Sequence, residues 1–193
     1  MTEFFNETVA VRCDCQTEYK QGRWIPNAEG SGGFVKFTAF DPKDREREYG
    51  VLTGILFSAE TFPQDAGRAE PELRDIAAAV CNFDTDFSME LPRTYCPILP
   101  QYTVRGNIQK DDAVLVLRSL RTEKARKNLD IGAALLTEAY FSLNRERGGK
   151  LGAVFVFLND ARKGKFYDLL LQCGYRQCES DPNVYALRLP QKE

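Results

Sequence analysis

Residues 113–136 read AVLVLRSLRTEKARKNLDIGAALL. The run AVLVLRSLRT (113–122) is rich in valine and leucine and predicts a strand. IGAALLTEAYFSLNRER (131–147) predicts a helix, because Ile131, Leu135, Leu136, Ala139 and Leu143 fall on one face. GGK ends that helix. GAVFVFL (152–158) is a continuous apolar run, expected of a central strand covered on both faces. Strand, helix and strand make a crossover unit, so 113–122 and 152–158 are expected to be parallel. A second helix is expected over 161–173, with Phe166, Leu169, Leu170 and Cys173 inward. CGYRQ and VYALRL, separated by Asp181-Pro182-Asn183, predict a closing hairpin.

Upstream the signals are weaker. FVKFTAF (34–40) and YGVLTGILFS (49–58) predict a hairpin across the charged turn region DPKDRERE. NAEGSGG (27–33) predicts a turn or linker, and 59–70 a loop. PELRDIAAAVC (71–81) predicts a helix with Leu73, Ile76, Ala77 and Val80 on one face and Pro71 in the first turn. Residues 82–100, with Pro92, Pro97 and Pro100, form either a binding loop or a surface excursion. YTVRG (102–106) predicts a strand and NIQKDD a turn. Residues 1–33 are an N-terminal extension or a first strand, and the length of 193 residues fits a single domain over 1–193.

Composition removes several classes of function. With 26 basic and 28 acidic residues the net charge is −2, which argues against bulk nucleic-acid binding. The six cysteines include a Cys13-x-Cys15 pair but no CxxC, and there is no histidine, so a zinc site would need four thiolates or carboxylates. No metal is expected. The missing histidine also excludes Ser-His and Cys-His nucleophile pairs, leaving Asp, Glu, Tyr, Cys, Lys, a chain terminus or water for proton transfer. MTEFFNETVAVRCDC has no basic region followed by an apolar run, and no stretch reaches the roughly 20 apolar residues of a membrane span. A cytoplasmic protein with reduced thiols is expected.

The segment joining 113–122 to 131–147 carries the chemistry. The first N–H groups of a helix lack internal partners, and the helix dipole favours negative charge there, so a pyrophosphate can bind residues 128–133. Gly132 and Ala133 allow close approach. Arg118, Arg121, Lys124, Arg126 and Lys127, against Glu123, make the region cationic. Asp130 opposes this. As a helix cap its carboxylate would take the same N–H groups and repel phosphate. The loop is therefore either a phosphate cradle or a capped helix beside a solvated strand end.

SLRTEKARKNLDIGAALL (119–136) resembles the acyl-CoA-binding motif of the GNAT superfamily of N-acetyltransferases, in which (Arg or Gln)-x-x-Gly-x-(Gly or Ala) opens a helix after a strand. Gly132 takes the last position, Lys127 the first and Asp130 the middle one, where the family has glycine; Thr122 falls at the strand end. FYDLLLQCGY (166–175) resembles the family's FYxxxGF segment. The resemblance covers about residues 102–189. It implies a mixed, mostly antiparallel twisted α/β sheet with helices on both faces and one parallel βαβ crossover. It also implies acetyl-CoA or another acyl-CoA as cofactor, bound by Leu120, Thr122, Lys127, Asn128, Leu129, Asp130, Ile131, Gly132, Ala133 and Asn159.

In the family the two parallel strands splay, and a backbone N–H near Leu120 to Thr122 would receive the thioester carbonyl. Tyr167 is the candidate catalytic acid for a leaving thiolate, because a phenol near pKa 10 can protonate it. The family's usual tyrosine position is Leu170 here, and Tyr167 lies one helical turn earlier on the same face. The ordinary alternatives are an aromatic packing role for Tyr167 and a turn or cap role for Asn159. Glu123, Asp111, Asp112 and Glu90, or a water relay, could supply a base, and Trp24 with residues 82–100 could line an acceptor site.

The expected activity is acyl transfer to a small-molecule or protein amine by direct attack on the thioester. Two alternatives stand beside it. One is a non-catalytic protein binder, since VFVFLNDARKGKFYDLLLQCGY loosely resembles the strand–helix ending of ornithine decarboxylase antizyme. The other is a transferase using acyl-carrier protein, whose acidic surface would suit the basic strand end.

Overall fold

Val35, Phe37 and Ala39 alternate with Phe34, Lys36 and Thr38 along the strand that anchors the upstream half of the sheet. This is β5 (Gly33–Asp41), and in the computed structural model it pairs antiparallel with β6 (Asp44–Ser58) from Gly33↔Leu56 to Ala39↔Gly50. The structure describes residues 2–5, 9–15, 18–20, 23–25, 33–68, 70–80, 108, 112–123, 131–146, 151–159, 164–178 and 180–188. The hairpin is the one the sequence predicts, but β6 starts earlier, so most of DPKDRERE is strand. Pro42 and Lys43 make the turn, where the Lys43 N–H donates to Asp41 Oδ1 at 2.9 Å.

Two helices follow. The 59–70 segment, expected as a loop, contains α1 (Phe62–Arg68). Phe62 anchors it, fully buried against Phe57 at 5.2 Å and Phe155 at 6.0 Å between ring centroids. A single deep aromatic outweighs the absence of helical periodicity in so short a segment. α2 (Pro71–Val80) buries Leu73, Ile76, Ala77 and Val80, the four positions its spacing indicates.

The crossover is as expected. β7 (Ala113–Thr122) leads through α3 (Ile131–Glu146) to β8 (Leu151–Phe157), and β7 and β8 are parallel. α4 (Lys165–Gln172) starts later than the predicted 161. It ends in a left-handed glycine: Gly174 has φ 91°, the Gly174 N–H donates to Leu171 O at 3.1 Å and the Tyr175 N–H to Leu170 O at 3.0 Å. This pairing satisfies the last helical carbonyls, and it gives Gly174 a local reason to be glycine. The closing hairpin is β9 (Arg176–Gln177) with β10 (Val184–Arg188).

Residues 1–33, which carry little periodic signal, contribute β1 (Thr2–Phe5) and β2 (Ala10–Cys15) to the same sheet. The order is β1-β2-β5-β6-β7-β8-β10-β9, with β7–β8 the parallel pair and the others antiparallel. β3 (Glu18–Lys20) and β4 (Arg23–Ile25) form a separate hairpin, with β4 near β6. Most of NAEGSGG, residues 82–107 with the expected 102–106 strand, and most of NIQKDD lie outside the described residues.

Each sheet face carries its own core. α3 and α4 cover Val35, Phe37, Leu52, Leu115 and Leu117. α1 and α2 cover Phe57, Val114, Val116 and Phe155 on the other side. β8 is buried on both faces, which is why it reads as an unbroken apolar run. Fully burying each large aliphatic or aromatic side chain contributes about 1.5–3 kcal/mol. Three buried groups oppose this. Among the described residues the hydroxyls of Thr38 and Tyr175 and Oε2 of Glu138 have no hydrogen-bond partner.

Candidate functional site

β7 changes neighbours halfway along its length. From Ala113 to Leu117 it lies between β6 and β8, and its last partner on β8 is Val156. Among the described residues nothing on β8 pairs with 118–122, where β7 continues beside β6 alone. β8 itself ends at Phe157, so β7 runs on beyond the end of its parallel partner. The Glu123 N–H donates to Tyr49 O on β6 at 2.8 Å. Backbone direction alternates along a strand, so the N–H groups of Leu120 and Thr122 face away from β6, into the opening. They are backbone donors on the side of β7 that opens past the end of β8, here called the wedge.

A bulge sits where the strands part. Thr53 pairs with Ser119 and Gly54 with Leu117, so Arg118 has no partner on β6. The extra residue inverts the alternation. Leu115 and Leu117 face α3; in a regular strand Ser119 and Arg121 would follow them. Instead Leu120 packs into the α3 core, while Ser119 and Arg121 turn to the other face. Arg118 also leaves the loop. Its guanidinium donates to the Glu70 carboxylate and, at 3.2 Å, to Glu72 Oε2 at the start of α2. This corrects the sequence expectation for Arg118, whose charge is taken up by Glu70 and Glu72. Lys124, Arg126, Lys127, Asn128, Leu129 and Asp130 themselves lie outside the described residues.

The start of α3 is pressed onto the sheet. Ile131 is buried, and it reaches the sheet over Gly50, where a Cβ would stand 3.0 Å from Ile131 Cγ2 and 2.9 Å from Arg121 O. Gly132 is buried as well. A Cβ on it would stand 2.7 Å from Leu169 Cδ2 of α4 and 3.7 Å from Leu120 Cδ2. The missing side chain of Gly132 is thus accounted for by helix–helix packing. Ala133 and Tyr167 are partly buried against the same core.

Tyr167 packs edge-on against Tyr185 with centroids 5.8 Å apart. Its helix begins after Gly164, whose φ of 123° favours glycine. Asn159 is exposed just beyond β8, whose end is tied down by the Leu158 N–H donating to Asn183 O at 2.8 Å. Parallel strands end on the same side, so Asn159 and Thr122 occupy the same end of the wedge. Leu120, Ile131, Gly132, Ala133 and Tyr167 thus share one core face.

Among the candidate bases the fold separates Glu123 from Asp112. Asp112 is buried at the entry to β7, its carbonyl accepting from the Ala59 N–H at 2.9 Å. Eight residues of strand place it about 26 Å from Leu120, so it cannot serve there. Glu123 is exposed at the wedge end. Asp111 and Glu90 lie outside the described residues, as does the side chain of Trp24. Among the described residues no cluster of thiols and carboxylates could hold a metal ion, and no helix is long and apolar enough to cross a membrane. Cys13, Cys173 and Cys178 are buried. Burial, with Asp181 adding to it, pushes the Cys178 thiol up to about 11, so it is an inert core group.

Sequence reasoning missed a groove of about 530 Å³ on the face opposite α3, lined by Lys36, Glu48, Thr53, Ser119, Arg121 and Glu123 with their neighbours. The signal available was the change in β7 from AVLVL to RSLRT, from strand buried on both faces to strand with one open face.

No protein-family model matches the chain, and no curated protein matches its sequence. Solved structures resemble it in part. NAA60 of Arabidopsis thaliana in complex with acetyl-CoA is 13% identical, over 80% of this chain and 76% of that one, with a TM-score of 0.45. The same Arabidopsis thaliana protein with a bisubstrate analogue gives 11% identity over 82% and 77%, with a TM-score of 0.44. Drosophila melanogaster polyamine N-acetyltransferase, which forms N-acetylagmatine, gives 13% over 80% and 74%, with a TM-score of 0.44. At this level of similarity none of them assigns an activity to this chain.

Proposed function

We propose that the protein is an acyltransferase of the GNAT type, moving an acetyl or other acyl group from acyl-CoA to an amine by direct attack. The observation that supports it best is the wedge, where β7 runs on past its last β8 partner with the Leu120 and Thr122 N–H groups aimed into the gap. These donors fit a chain of amide and thioester carbonyls. Residues 127–133, Lys127 through Ala133, would hold the pyrophosphate, with Asn159 across the wedge. When bound, coenzyme A supplies the activated thioester carbon. The Leu120 or Thr122 N–H polarises that carbonyl and stabilises the developing oxyanion. Glu123 accepts the proton of the incoming amine, directly or through water, and Tyr167 returns one to the departing thiolate.

Calorimetric titration with coenzyme A and acetyl-CoA tests this. Micromolar affinity, about 8 kcal/mol, is expected. Steady-state kinetics should be sequential, since no acyl-enzyme forms. Absence of binding up to millimolar would overturn the proposal in favour of a non-catalytic binder or a transferase using acyl-carrier protein.

A further inference from the structure

The groove on the far face of β5, β6 and β7 is laid out by charge. Lys36 pairs with Thr53 and Thr53 with Ser119, so these three side chains form one row across three strands, and Thr53 Oγ1 and Ser119 Oγ are hydrogen-bonded at 2.7 Å. Arg121 stands one row further along β7 on the same face. Glu48 and Glu123 close the groove at its outer end, where β7 leaves the sheet. Among the described residues none of the four charged side chains has an ion-pair partner, whereas Arg118, beside them, has two. Positive charge and hydroxyls therefore lie along the floor, and negative charge lies beside the wedge.

We propose that the groove takes an acceptor amine that also carries a carboxylate, an amino acid or short acidic peptide, with the ammonium at Glu123 and Glu48 and the carboxylate at Arg121 and the Lys36–Thr53–Ser119 row. This rests on the acyl-transfer proposal above. Four residues of strand separate Ser119 from Glu123, about 13 Å, so a dipeptide or tripeptide spans the full length and a single amino acid reaches Arg121. A polyamine would place its second cation against Lys36 and Arg121, with like-charge repulsion in a partly enclosed site. A plain amine would leave those cations unused.

The test uses the full chain, acetyl-CoA, and three acceptors: glycyl-glutamate, its diamide and spermidine, with released thiol as readout. Glycyl-glutamate is expected to have a kcat/KM about ten-fold above both others, the effect of adding charge-assisted hydrogen bonds to the carboxylates. Lys36→Glu should shift the ratio of glycyl-glutamate to spermidine towards spermidine, with coenzyme A affinity by calorimetry as the check on folding and on the donor site. Equal or faster turnover of the diamide or spermidine, or turnover of none of the three by protein that binds coenzyme A, would overturn this inference and leave the donor-site proposal standing. Failure to bind coenzyme A would overturn that proposal first.

Discussion

Gly132 on α3 faces Leu169 on α4 so closely that a methyl group on Gly132 would come within 2.7 Å of Leu169 Cδ2. The glycine that the sequence offers as a close approach to phosphate is thus also a contact between helices. Gly132→Val should cost about 1–3 kcal/mol through overpacking and weaken coenzyme A binding. Combining a small side chain with room for it separates the two roles. Gly132→Ala with Leu169→Ala relieves the clash at the α4 side, so coenzyme A affinity close to wild type in that double variant would show that only packing requires glycine. Calorimetry and urea unfolding measure both.

Asp130 precedes Ile131, the first residue of α3. If the loop holds pyrophosphate, Asp130→Gly should tighten coenzyme A binding, because it removes a negative charge near the phosphates. The same change should cost a few tenths of a kcal/mol in stability, and Asp130→Ala about 1 kcal/mol. Weaker binding by Asp130→Gly would mean that the carboxylate organises the loop.

Tyr167→Phe keeps the edge contact with Tyr185 and removes only the hydroxyl. For a catalytic acid the expected result is a kcat lower by about 100-fold, with unfolding free energy unchanged. A kcat within two-fold of wild type would reduce Tyr167 to an aromatic packing residue.

Glu138 on α3 has its carboxyl raised from its usual 4.5, chiefly by burial, with Arg145 lowering it in part. The folded state therefore holds this proton more tightly than the unfolded chain. Stability from this group is complete below 4.5 and declines as pH rises through the folded value. Glu138→Gln should remove that decline, so the difference in unfolding free energy between variant and wild type should grow in favour of the variant between pH 4 and 7. A pH-independent difference would refute the assignment.

The crossover was legible because its signals are local. AVLVL, the 131–143 apolar face and GAVFVFL each display a period that a strand or helix must have to bury one side or both. The hairpin of β5 and β6, α2 and the closing hairpin follow from the same periodicities. α1 and the strands before residue 33 were not legible: one is held by a single aromatic, and the others are short and carry little alternation.

The site divides in the same way. The sequence alone placed Thr122 at a strand end, Ile131 at a helix start and Asn159 past a central strand. Only the tertiary structure decided where β8 leaves β7 and that Arg118 is an extra residue. That one residue shifts the register by which side chains alternate, sending Leu120 to the α3 core and Ser119 and Arg121 to the groove. A bulge is a mismatch between two strands, and β6 lies more than 50 residues upstream of β7 throughout this pairing, as in Thr53↔Ser119. No periodicity within RSLRT can report a partner so distant. The pairing energy of the whole sheet fixes it.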